Sequence, residues 1–146
     1  MIHYIKFQEK LLAIIIKANY DSKDIEFFTP NDFEQQLGYM KRDKGYVINP
    51  HFHNPVKREI NYTKEVLFIK SGKVRVDFYD EKKIYFESRI LNKGDVMLLA
   101  FGCHGFKMIE PTEMIEVKQG PFMPEIRTDK SLFEPISDDK IKIKED

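Results

Sequence analysis

The sequence lacks several features that would point to particular classes of protein. It has a single cysteine, Cys103, which excludes an internal disulfide framework. Neither sign of charge is in excess, because 24 Lys and Arg residues balance 24 Asp and Glu residues. Nucleic-acid binders normally carry a basic excess, since their affinity comes from neutralising phosphates. We therefore expect no nucleic-acid partner.

The sequence also lacks a long hydrophobic run. The run near the start, residues 11–16, has only six residues, whereas a helix needs roughly 20 apolar residues to cross a bilayer. It is followed by Lys-Ala-Asn-Tyr, which is not the small-residue cleavage site of a signal peptide. We interpret the run as a buried strand and expect a cytoplasmic protein with no membrane partner.

Short strand patterns dominate what is present. Residues 73–80 alternate apolar and polar side chains, which places Val74, Val76 and Phe78 on one face of a strand. Further strands are predicted at residues 11–17, 36–41, 46–48, 65–69, 85–91, 96–101, 106–109 and 114–118. Such a series, separated by turn signals, predicts an all-β sandwich or barrel with little helix.

The length of 146 residues fits one domain. The Lys-Ser-Gly sequence at residues 70–72 predicts a hairpin between the strands at 65–69 and 73–80. Residues 137–146 are charged, with alternating Ile and Lys, and we favour a loose tail there over an edge strand. The expected organisation is a domain at residues 1–136 and a charged tail at 137–146.

Three of the four histidines fall into one pattern with a glutamate. His51 and His53 lie two apart at the end of a predicted strand, and in extended chain their side chains share a face, about 6.6 Å apart along the backbone. Two imidazoles so arranged can bind one metal ion. Glu65 opens the next strand, and His104 follows residues 96–101. Three nitrogens and a carboxylate suit Fe, Mn, Ni, Zn or Co better than Ca or Mg.

With these residues the chain resembles the cupin superfamily. The first cupin motif runs Gly, five residues, His-x-His, a spacer, Glu, six residues and Gly; the second begins with Gly-Asp and ends with His. The matching positions, within residues 45–120, are Gly45, His51, His53, Glu65, Gly72, Gly94, Asp95, Gly102 and His104. The resemblance implies a single-domain cupin, a jelly-roll barrel (double-stranded β-helix), with a divalent transition metal held by the three histidines and Glu65.

The chain departs from the cupin pattern in four places, which include the single residue Cys103 between Gly102 and His104, and Met108 where the motif often has Asn. Ala100 stands where the second motif has proline, and eleven residues separate His53 from Glu65, where the family usually has three or four. Glu59 lies nearer the usual distance and is the rival ligand. We prefer Glu65 because its spacing to Gly72 fixes it on a strand. Cys103 adjoins His104, and because neighbouring strand residues face opposite ways we expect it to point away from the metal.

The resemblance implies an enzyme acting on a small molecule, of the oxygenase, decarboxylase or isomerase class. Glu59 or Tyr62, on the long spacer, would then serve as a proton-transfer group. Two alternatives stay open: a metal-independent nucleotide-sugar epimerase or ketoisomerase of polysaccharide metabolism, and a non-enzymatic cupin that binds a small ligand. Open sheet edges predict a homodimer formed through strands of the first forty residues.

Overall fold

Residues of strand propensity and period-two patterning form nearly all the regular structure of this chain. The computed structural model describes residues 1–121 and 131–145. Within these ranges there is no α-helix, and the one helical element is a short 3₁₀ turn at Asp138–Lys140. The predicted all-β class is confirmed.

The described residues contain ten strands. In chain order they are β1 Ile2–Phe7, β2 Lys10–Ile16, β3 Glu26–Phe27, β4 Gly38–Tyr39, β5 Glu65–Ser71, β6 Lys73–Tyr79, β7 Tyr85–Asn92, β8 Val96–Leu99, β9 Cys103–Met108 and β10 Glu113–Lys118. The sequence patterns missed β1 and β3. The strand predicted at residues 46–48 is wrong, since that stretch is exposed and unpaired with any other strand in the structure.

Two antiparallel sheets make up the body of the fold. The larger has the strand order β1-β2-β8-β5-β10, and the smaller has the order β7-β6-β9. A separate two-stranded ribbon pairs β3 with β4. From β7 onward each strand lies in the other sheet from the one before it, so the chain crosses between sheets three times.

The hairpin predicted around Gly72 is wrong. β5 and β6 follow each other directly, but β5 belongs to the larger sheet and β6 to the smaller. Gly72 forms the corner between them, with φ at +81°. A Cβ at this position would lie 2.1 Å from the carbonyl oxygen of Pro111 and 2.7 Å from Oγ1 of Thr112. The glycine is therefore needed for a sheet-to-sheet corner packed against the chain that precedes β10.

Replacing Gly72 by alanine is expected to lower the free energy of unfolding by about 3 kcal/mol, because a left-handed φ and a backbone clash act together. Gly45→Ala is the matched control. Gly45 has φ at +89° but nothing within 4 Å of a built Cβ, so only the conformational cost of about 1 kcal/mol should remain. Urea denaturation of both variants measures the difference, and equal losses would show that the Pro111 contact is unimportant.

The main core lies between the two sheets. Alternate residues of β6 face it, and their buried partners come from β5, β8 and the N-terminal strands. The core residues include Ile5, Leu12, Ala13, Ile15, Leu67, Ile69, Val74, Val76, Phe78, Leu91, Met97 and Leu99. A second cluster lies on the outer face of the larger sheet, where Phe28 and Leu37 cover Ile14, Ile16 and Leu98.

One side of this sandwich is closed and the other is open. On the closed side Phe7 of β1 packs edge-to-face against Phe86 of β7, with ring centroids 5.4 Å apart. On the opposite side β9 and β10 are the outer strands of their sheets. Phe106 and Met108 lie opposite the core residues Val76 and Val74, yet they are 37% and 47% exposed. The inward face of β9 is therefore only partly covered, although the core residues beside it are buried.

The preference for a loose C-terminal tail is wrong for residues 137–145. Ile143 forms a parallel bridge with Ser88 of β7. Asp138 accepts a hydrogen bond from Arg75 at 3.0 Å and pairs with Lys107, so it is tied to β6 and β9. These contacts cover the Arg75–Asp77 ion pair, which is buried. The alternation of Ile and Lys belongs to a segment docked on the smaller sheet.

Candidate metal centre

Glu65 and His104 meet across the space between the two sheets. Glu65 is the first residue of β5 and lies opposite Leu99, a core residue of β8. His104 of β9 lies opposite Phe78, a core residue of β6. Directly opposed strand residues share a face, so both side chains point inward. The Nε2 atom of His104 is 3.1 Å from Oε2 of Glu65, and the glutamate is buried.

A lysine lies beside this pair. Lys118 of β10 is directly opposite Glu65, so it shares the inward face. Its Nζ atom is 3.9 Å from Oε1 of Glu65 and 3.6 Å from Oε1 of Glu116. Both distances exceed those of a good N–H···O hydrogen bond, so these are loose ion pairs. Alternation along β10 would predict that the apolar Ile115 and Val117 face inward, so the sequence carries no signal for Lys118.

The two other predicted ligands lie together on the segment between β4 and β5. His51 and His53 are exposed, with ring centroids 5.3 Å apart. The Nδ1 atom of His51 lies 3.0 Å from the carbonyl oxygen of Asn49. In the part of the chain that the structure describes, no three His, Cys, Asp or Glu side chains gather closely enough to hold a metal ion. The four predicted ligands are thus arranged as two pairs.

The rival carboxylate and the predicted proton-transfer groups lie on the same segment. Glu59 is exposed and lies outside any strand, six residues before β5 begins. Tyr62 packs edge-to-face on Phe101, with ring centroids 5.0 Å apart. Of the two candidate carboxylates, Glu65 is the one that contacts His104.

Two residues near the predicted ligands have surroundings that indicate a structural role. They are Cys103, which adjoins His104, and Asp95, which belongs to the second motif. Cys103 precedes His104 on β9, so by strand alternation it faces the other side of the sheet. Partial burial raises the pKa of its thiol, which disfavours the thiolate that binds metals. Asp95 is almost fully buried and accepts hydrogen bonds from Lys17 Nζ at 2.7 Å, Ala18 N at 2.8 Å and Asn92 N at 2.9 Å.

Comparison with known proteins finds no match to the chain among family models, curated proteins or solved structures. The resemblance to cupins is therefore carried by the motif residues themselves. In the described ranges, no helix has the length and apolar character needed to cross a membrane.

Proposed function

We propose that this chain is a metal-binding cupin, a jelly-roll barrel that acts as an enzyme on a small molecule. The observation that carries the proposal is the inward-facing pair of Glu65 and His104, drawn from two different sheets and held 3.1 Å apart. These are the carboxylate and the last histidine of the two sequence motifs. A carboxylate oxygen and an imidazole nitrogen provide half of a site for Fe, Mn, Ni, Zn or Co.

The other half requires the segment with His51 and His53 to close the open side of the sandwich. Large apolar side chains are exposed along this segment, at Tyr46, Val47, Ile48, Phe52, Val56, Ile60 and Tyr62. Among the described strands β9 is the outer strand of its sheet, and its inward side chains Phe106 and Met108 are partly exposed. Pairing residues 46–53 with the edge of β9 would add strand hydrogen bonds, and it would bury apolar surface of both the segment and β9. It would also bring the two histidines to the strand that carries His104.

In that arrangement the predicted site residues would divide into metal ligands and proton-transfer groups. The three imidazoles and the Glu65 carboxylate would hold the ion, and it would supply Lewis-acid or redox chemistry to a small substrate. Glu59 and Tyr62, on the residues between the two ligand pairs, would lie at the mouth of the barrel. There either side chain is placed to exchange a proton with a substrate.

A second function is favoured by the same pair of residues. A histidine that lies 3.1 Å from a buried carboxylate is an acid–base arrangement that needs no metal, because the carboxylate can orient the imidazole and the imidazole can carry the proton. This supports the alternative of a metal-independent nucleotide-sugar epimerase or ketoisomerase of polysaccharide metabolism. Activity on a nucleotide-linked keto-sugar that survives chelation would favour it over the metal enzyme.

The metal proposal predicts one bound ion per chain, with residues 46–53 protected when it binds. We expect His51→Ala to abolish stoichiometric metal uptake, because one imidazole is lost from the site. Plasma-emission analysis measures the metal, and amide hydrogen exchange with and without zinc measures the protection of the segment. His3→Ala, on β1, is the matched control and should keep its metal.

Full metal content in the His51→Ala protein would contradict this assignment of ligands. Metal binding and segment protection without turnover of any oxygenase, decarboxylase or isomerase substrate would instead favour the non-enzymatic cupin. Both the enzyme and the non-enzymatic cupin would bind a small molecule at the open side of the proposed barrel.

The homodimer also stays a prediction. β1, within the first forty residues, is an outer strand of the larger sheet, and Tyr4 on it is exposed. Pairing of β1 with the same strand of a second copy would satisfy the backbone groups at that edge.

A further inference from the structure

A cavity of about 210 Å³ lies at one end of the sandwich, between the turn that joins β1 to β2 and the turn that joins β6 to β7. Both sheets and their turns contribute to its apolar lining, which consists of Phe7, Leu12, Ile84 and Phe101. Among the described residues that line the cavity, none is a predicted site residue, although Phe101 packs on Tyr62. The cavity is therefore a candidate binding site distinct from the Glu65–His104 pair.

The walls of this cavity are held in place by hydrogen bonds of the chain itself. Leu12 is 2% exposed, and its carbonyl oxygen accepts hydrogen bonds from the amides of Ala100 at 2.8 Å and Phe101 at 3.3 Å. On the other side, Oδ1 of Asp80 accepts hydrogen bonds from the backbone N–H groups of Lys82 and Ile84, both at 2.9 Å. The cavity is thus formed before any ligand enters, as small-molecule sites usually are.

The charges that line the cavity cancel. The Nζ atom of Lys10 is 2.8 Å from Oε1 of Glu81, and this exposed pair joins β2 to the turn between β6 and β7. The same Nζ atom lies 4.4 Å from the ring centroid of Phe101. The other two charged lining residues, Lys82 and Asp80, also carry one charge of each sign. A charged ligand would lose hydration without meeting a net counter-charge, so the lining favours a neutral one.

We propose that this cavity binds a small neutral aromatic molecule with a single ring. A cavity of about 150 Å³ lined by Leu, Ile and Phe admits benzene, so 210 Å³ gives room for one ring with a small polar substituent. The side chains of Phe7 and Phe101 offer the ring faces and edges on which an aromatic ligand packs. The amide of Gln8, which also lines the cavity, can donate a hydrogen bond to the substituent or accept one from it. Phenol has both parts and is the probe.

Titration of the full chain with phenol, followed by NMR in the presence of a chelator, tests the proposal. We expect saturable shifts of the resonances of Phe7, Leu12 and Phe101. Phenol should bind at least about tenfold more tightly than benzoate, because the charge of benzoate has no counter-charge in the cavity. It should bind about threefold more tightly than cyclohexanol, which lacks the aromatic ring. Equal binding of phenol and benzoate would overturn the neutral class, and equal binding of cyclohexanol would overturn the aromatic class.

A matched pair of variants locates the site. Ile84 lines the cavity and is 59% exposed, so Ile84→Trp can fill the cavity from its rim without enlarging a buried residue. We expect this change to weaken phenol binding by about tenfold or more. Ile115→Trp is the control and should keep the affinity, since Ile115 is 52% exposed on β10 and does not line the cavity.

Unchanged phenol binding in Ile84→Trp, or shifts confined to residues that do not line the cavity, would overturn the proposal. The absence of saturable shifts in the unaltered protein would do the same. Because the titration is made without metal, its outcome does not depend on the proposed metal centre. Either site can therefore fail its test while the other passes.

Discussion

Replacing Glu65 by glutamine is expected to weaken metal binding by about 100-fold or more, whereas Glu59→Gln should leave it unchanged. Glutamine keeps the shape of the side chain but removes the negative charge that attracts a divalent ion. Outer-sphere changes alone cost 10–100-fold in metal affinity, so loss of a directly bound carboxylate should cost at least as much. Equilibrium dialysis against zinc measures both variants.

The pair of variants also decides between the two candidate carboxylates. Glu65 is buried and contacts His104, while Glu59 is exposed on the segment between β4 and β5. The reverse result, with Glu59→Gln losing metal and Glu65→Gln keeping it, would assign the carboxylate to Glu59. It would also place more of the long spacer between the two sheets than residues 46–53 alone.

The largest loss of stability is expected for Asp95→Ala, about 3–5 kcal/mol. This carboxylate is 1% exposed and accepts hydrogen bonds from Lys17, Ala18 and Asn92. Its removal leaves two backbone N–H groups and a partly buried ammonium group without their carboxylate acceptor. For a domain of this size the loss corresponds to a fall of about 10 °C in Tm.

Urea denaturation and thermal unfolding monitored by circular dichroism measure this effect. Asp24→Ala is the control, because Asp24 is exposed and a surface substitution there should change stability by less than about 0.5 kcal/mol. A loss below about 1 kcal/mol for Asp95→Ala would mean that the contacts between β2 and the turn before β8 contribute little. The role expected here is structural, so metal content at low temperature should be retained.

The sequence predicted which residues form strands better than it predicted which strands pair. Alternation of apolar and polar side chains located β6 and β7 to within a residue or two. The same alternation specifies faces and not partners, so the corner at Gly72 was mistaken for a hairpin. What makes Gly72 a corner and not a hairpin turn is its tight contact with Pro111, which is 39 residues away in the chain.

Half of the candidate site could also be predicted. The spacing from Glu65 to Gly72 placed this carboxylate on a strand, and the structure holds it beside His104. Motif spacing says nothing about how eleven residues between His53 and Glu65 are folded, so the approach of His51 and His53 stays a prediction. Lys118 was missed because lysines are mostly solvated, and only the pairing of β10 with β5 shows that it faces inward.

The repeated crossing of the chain between the two sheets bears on how the protein folds. β8 lies between β2 and β5, and β6 lies between β7 and β9, so each sheet needs strands distant in sequence. Neither layer can therefore be completed by one continuous stretch, and the two must condense together. Folding rates fall as contacts become less local, so we expect slow, cooperative folding in which the last strand to arrive, β10, completes the larger layer.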